Sequence, residues 1–208
     1  MKDTHLYTET DMALNLIDLA RYPIADLDNG EGATFLAKCQ THMEEHGWVN
    51  LDGFIHPDAL SALEQEASNL QPTAEVLTIK RNIYQGAIDP SLPADDPRRR
   101  EYTHVASQLA DDQLPSDTLI QQLYKSDLLT EFVRRVQQKP VLYRCGDEFQ
   151  ALTVVPLHPR SLHACHYDTV ELTVTLLLKA AARGGDFPRA PISLTDAAQD
   201  APAVARTC

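Results

Sequence analysis

The hydrophobic pattern of this chain changes period at Pro140, and that change limits the fold more than any single residue does. Before it, apolar residues recur at helical spacing. Phe35, Leu36, Cys39 and Met43 predict a helix over 33–46, closed by Gly47. Pro57 suits the first turn of a second helix, which presents Leu60, Leu63, Ala67 and Leu70 on one face. Leu119, Ile120, Leu123 and Tyr124 predict a third. Leu128, Leu129, Phe132, Val133 and Val136 predict a fourth, which stops before Pro140. Residues 48–51 read as a short strand before an Asp52-Gly53 turn, 76–84 as extended, and 85–100 as a surface loop rich in Pro and Asp.

After Pro140 the pattern alternates. Residues 141–143 and 149–155 predict strands on either side of a Cys145-Gly146-Asp147 turn. The longest expected strand is 170–178, where Val170, Leu172, Val174, Leu176 and Leu178 alternate with Glu171, Thr173 and Thr175. Helices followed by strands predict an α+β protein. One domain over 1–187 is expected, its helical N-terminal part (about 1–139) packed on a β part (about 140–187). The stretch 188–208 is rich in Pro and Ala, with little apolar surface to offset its ordering entropy, and is expected to be a disordered or atypical tail.

A length of 208 residues is enough for one domain with its own core. The formal charge of −12 argues against nucleic acid, because phosphate binding needs clustered Lys and Arg. The one basic run, Arg98-Arg99-Arg100, is flanked by Asp95, Asp96 and Glu101 and reads as a solvated loop. Cys39, Cys145, Cys165 and Cys208 are too widely spaced for a disulfide scaffold or a structural zinc site, and reduced thiols are expected. The N-terminal residues carry Asp3, Glu9, Asp11 and Asp18 and do not resemble a secretory signal. No stretch approaches the ~20 apolar residues of a membrane span. A cytoplasmic protein without membrane association is expected.

The chemistry-bearing segment is His166-Tyr167-Asp168. On an extended strand His166 and Asp168 point to one side and Tyr167 to the other, where it would pack. Imidazole and carboxylate presented together are two of the three donors of a two-histidine, one-carboxylate metal site. The plainer alternative is an imidazole–carboxylate hydrogen bond with no metal. On a continuous strand His163 and Cys165 would face away from His166, and His158 lies across a proline-containing loop. His166 is the last histidine of the chain. His42 and His46 share a helix face, but no carboxylate stands in register with them, so exposure is expected. No G-x-S-x-G elbow is present to support serine catalysis.

His166-Tyr167-Asp168, the alternating stretch after it and Gly184-Gly185-Asp186-Phe187 together resemble the Fe(II)- and 2-oxoglutarate-dependent dioxygenase superfamily. The stretch from Gly47 to Phe54 and the placement of Leu142-Tyr143 and Asp147 are similar too. The likeness covers most of 33–187. It implies a double-stranded β-helix, a jelly-roll relative of the cupins. It also implies His166 and Asp168 as ligands of Fe(II), 2-oxoglutarate as co-substrate, and oxidation (hydroxylation) of a small organic substrate. The family's second metal histidine and the basic residue that pairs with 2-oxoglutarate lie several strands further on. Only 208 − 168 = 40 residues follow Asp168 here, and Arg183, Arg189 and Arg206 lack the family's strand context. The resemblance therefore implies a domain truncated after the Gly-Gly turn, whose open sheet edges predict self-association. A non-catalytic remnant and a cupin-like binding module stay open beside the enzyme.

Overall fold

The computed structural model describes residues 12–96, 98–159, 161–163 and 166–183. It is a mixed structure of four α-helices and a small sheet, consistent with the α+β class. The helices are α1 (Gly30–His46), α2 (Pro57–Leu70), α3 (Leu119–Tyr124) and α4 (Asp127–Val136). The strands are β1 (Glu75–Arg81), β2 (Tyr102–Ala110) and β3 (Thr153–Val154), in sheet order β1-β2-β3. The described residues form two compact units, one within 1–70 and 110–153, the other within 71–109 and 154–208.

The first unit is helical, and local chemistry sets its boundaries. Gly47 ends α1 in the left-handed region (φ 75°) and donates its N–H to the Met43 carbonyl at 2.8 Å, an ending that a β-carbon disfavours. The Thr118 hydroxyl caps α3 by accepting from the Gln121 N–H, and the Ser126 hydroxyl caps α4 by accepting from the Leu129 N–H. The Glu66 carboxylate of α2 also accepts from the Leu119 and Ile120 N–H groups, at 2.7 and 3.0 Å. Negative charge thus sits at the positive end of α3. Leu128, Phe132 and Val136 form the buried face of α4. Phe132 stacks on Phe35 at 5.8 Å, and Tyr22 bridges Phe35 and Phe54 at 5.6 and 5.5 Å. Leu63 and Ile24 are fully buried. Residues 48–51 form no strand; the adjoining pairing is a single bridge between Ile17 and Ile55.

The second unit is built on β1 and β2. They are antiparallel, with Ile79 opposite His104 and Arg81 opposite Tyr102. Leu77, Ile79 and Arg81 are half-buried while their neighbours are exposed, so this face of β1 looks inward. Arg98 holds the following loop by a two-pronged bond to Asp96, at 3.0 and 2.7 Å. The expected strand 76–84 therefore corresponds to β1, but β2 was not foreseen.

Past Pro140 the expectation is corrected. Residues 141–143 and 170–178 form no strand, and 149–155 contributes only β3. A strand needs a neighbouring backbone to take its N–H and C=O groups, and alternation does not supply one. Val170, Val174 and Leu177 are exposed, at 51, 63 and 70%. Only Leu172 and Leu178 of that segment are half-buried. Gly184-Gly185-Asp186-Phe187, Cys165, Cys208, Arg189, Arg206 and the tail 188–208 lie outside the described residues.

Candidate metal centre

The second unit gathers the histidines of interest by two backbone anchors. Leu162 bridges β2 at Val105, exchanging N–H···O bonds of 2.9 and 2.8 Å. That antiparallel pairing sets His163 opposite His104, and residues directly opposite share a face. Further along, the Tyr167 N–H donates to the Ile83 carbonyl at 2.9 Å, and the Gln85 side-chain amide donates to the Tyr167 carbonyl at 3.2 Å. The Tyr167 ring is buried and stacks on Tyr84, with centroids 5.3 Å apart and planes 7° from parallel. It packs, as the alternation of the H-x-D segment predicts.

With Tyr167 turned inward, His166 and Asp168 come together: His166 Nε2 and Asp168 Oδ1 are 3.4 Å apart. The other Asp168 oxygen accepts from the Thr173 hydroxyl at 2.7 Å. The His166 ring also meets His104, with centroids 5.2 Å apart and planes at 69°. The His163 ring also approaches His104 edge-on, at 6.4 Å. Residues 166–168 lie in no strand, and His163 is not turned away as strand geometry predicts: both His163 and His166 contact the His104 ring. His158 instead approaches Gln71, at 3.5 Å. In the other unit His42 packs edge-on against both His46 and Trp48.

His104 Nε2 is buried and makes no hydrogen bond. Burial, then the neighbouring His166 and His163, then Arg81, hold the His104 imidazole below its usual range. Burial, followed by His166, does the same for His163. Both rings are therefore neutral near pH 7, the form in which an imidazole binds a metal. Among the described residues, however, no three His, Cys, Asp or Glu side chains converge on one point in the arrangement seen.

Sequence reasoning missed His104 and Arg81. The signal was weak but present: Tyr102, His104 and Ala106 alternate with Thr103, Val105 and Ser107. Arg81 shares the inward sheet face with His104, since their strand partners are two residues apart. Among the described residues no helix is long and apolar enough to cross a membrane. Comparison with protein-family models, with curated proteins and with solved structures finds no match to this chain.

Proposed function

We propose that this chain is an Fe(II)- and 2-oxoglutarate-dependent dioxygenase-like domain that oxidises a small organic molecule. The observation that supports this reading is the approach of His166 and Asp168 to 3.4 Å on a segment anchored beside the sheet. In this reading the three-stranded sheet is the described portion of a double-stranded β-helix.

The residues divide the work. His166 offers an imidazole nitrogen and Asp168 a carboxylate oxygen. The Thr173 hydroxyl holds the second Asp168 oxygen and so orients the carboxylate. Tyr167, fixed by Ile83, Gln85 and Tyr84, sets the direction of both neighbours. Arg81, on the same face as His104, provides a cation for the carboxylate of the co-substrate. Bound Fe(II) would supply the coupling of 2-oxoglutarate decarboxylation, giving succinate and CO₂, to insertion of one oxygen atom of O₂ into a substrate C–H bond. The test is succinate release from 2-oxoglutarate with added Fe(II), compared between the native chain and His166→Ala. Equal background in both would falsify catalysis by this chain.

A second reading, a non-catalytic remnant or a cupin-like binding module, is favoured by a separate observation. Tyr143 and Phe149 are exposed, at 85 and 64%, as are Val170, Val174, Leu176 and Leu177. Uncovered apolar surface of this kind marks association. Stabilisation of the protein by metal alone, with no added effect of 2-oxoglutarate on its melting temperature, would favour this reading.

A further inference from the structure

We propose that this chain forms a symmetric dimer through the free edge of β1, which pairs antiparallel with β1 of a second copy in a register centred on Thr78. The inference does not rest on the dioxygenase reading: it names a partner for the sheet, whatever the chemistry of the H-x-D segment.

The edge is open, and the direction of its backbone groups follows from the pairing. β1 lies at the end of the sheet, with β2 as its one strand neighbour among the described residues. Val105 of β2 exchanges both of its backbone hydrogen bonds with Leu162. In an antiparallel ladder a residue turns its N–H and C=O to the same side. Thr78, directly opposite Val105, therefore aims both groups away from β2, and so do Val76 and Lys80 on either side of it. Among the described residues no backbone group outside the sheet bonds to these three. All three are exposed, Val76 at 66%. Such an edge is a template for another strand.

Charge selects a second copy as that strand, and fixes the register. With Thr78 opposite Thr78, all 7 residues of β1 find a partner. Glu75 then opposes Arg81 of the second copy at both ends, and Leu77 opposes Ile79 on the inward face. Val76 meets the methylene stem of Lys80. Centring on Val76, Leu77 or Ile79 leaves Glu75 and Arg81 opposite uncharged residues, and centring on Lys80 sets two ammonium groups against each other. Lys80, a charge that ordinarily blunts an edge, is held by Glu101 of its own chain at 2.7 Å and faces no second lysine in the Thr78 register. Arg81 keeps donors for a further carboxylate, since a guanidinium carries more of them than one carboxylate takes up.

The experiment is sedimentation velocity of the full chain across a dilution series. Salt at about 0.15 M screens the −12 charge of each copy beyond about 8 Å. The native chain is expected to show a monomer–dimer equilibrium. Thr78→Pro removes the outward N–H at the axis while sparing every bond to β2, and should weaken the dimer about 100-fold or more with an unchanged far-ultraviolet dichroism spectrum. Glu75→Arg and Arg81→Glu should each weaken it about 10-fold, because each sets like charges opposite one another at both ends. An equimolar mixture of these two variants should pair again to within about threefold of the native chain, each supplying the charge that the other lacks. Misfolded variants could not do this. Val174→Glu, on the exposed apolar segment, should leave the dimer intact. A native chain that stays monomeric overturns the proposal, as do a dimer indifferent to Thr78→Pro and a mixture that fails to pair. Loss of the dimer in Val174→Glu alone would move the interface to 170–178, and growth beyond the dimer would mean head-to-tail association instead of a two-fold edge.

Discussion

His104 and His166 meet with their ring centres 5.2 Å apart, although one lies on β2 and the other in an irregular segment far along the chain. What joins them is backbone: the Val105–Leu162 bridge on one side and the Tyr167–Ile83 hydrogen bond on the other. The cost is a buried ring nitrogen with no partner. Replacing His104 by Phe removes that nitrogen while keeping the ring volume roughly filled. We expect the His104→Phe protein to be more stable by about 1 kcal/mol. Urea denaturation of the two proteins checks this. A variant less stable than the native chain would count against an unsatisfied nitrogen.

Glu66 links α2 to α3 by accepting two backbone N–H groups at the helix start, those of Leu119 and Ile120. Glu66→Ala leaves both donors without the carboxylate, and a loss of about 1–2 kcal/mol is expected. Glu66→Gln keeps one acceptor oxygen and should lose less. Urea midpoints for the two variants measure the difference; a Gln variant as stable as the native chain would show that charge plays no part, and equal losses that the retained acceptor oxygen contributes nothing.

Cys39 is buried in α1, and burial pushes its thiol up to about 11 from an ordinary value of 9.0. Below pH 9 the thiol is protonated in both folded and unfolded chains and adds no pH dependence. Between pH 9 and about 11 the unfolded chain releases the proton and the folded chain keeps it, so stability falls as pH rises. At pH 8, iodoacetamide should modify the exposed Cys145 and spare Cys39, as read by peptide mass spectrometry. Equal modification of the two in the folded protein would contradict the burial.

Gly32 and Gly47 sit at opposite ends of α1 and should respond differently to alanine. A β-carbon at Gly32 would run into the backbone carbonyl oxygens of Asp26 and Pro23, neither of which can swing aside. Gly32→Ala is expected to cost about 3 kcal/mol or more. At Gly47 nothing lies within 4 Å, and only the left-handed backbone is disfavoured, so Gly47→Ala should cost about 1 kcal/mol. Thermal unfolding of both variants tests the order, and the reverse ranking would mean that the approach of 23–26 to α1 is wrong.

The helices were legible in the sequence because their signals are local. The spacing of Leu128, Phe132 and Val136, the glycine after His46 and the hydroxyls at Thr118 and Ser126 each act within a turn or two of backbone. The approach of His166 to Asp168, and the inward packing of Tyr167, were also readable, since neighbouring residues set them.

Sheet and site were decided elsewhere. Alternation over 170–178 is as regular as any in the chain, yet the segment forms no strand, while the less apolar Tyr102–Ala110 becomes the central strand. A strand exists only when a second backbone lies in register beside it, and which backbone that is does not appear in a local pattern. For the same reason His104 could not be assigned to the H-x-D pair in advance. Its place beside His166 follows from pairing with Ile79 on one edge and from the Leu162 bridge on the other, contacts that exist only once the chain has folded.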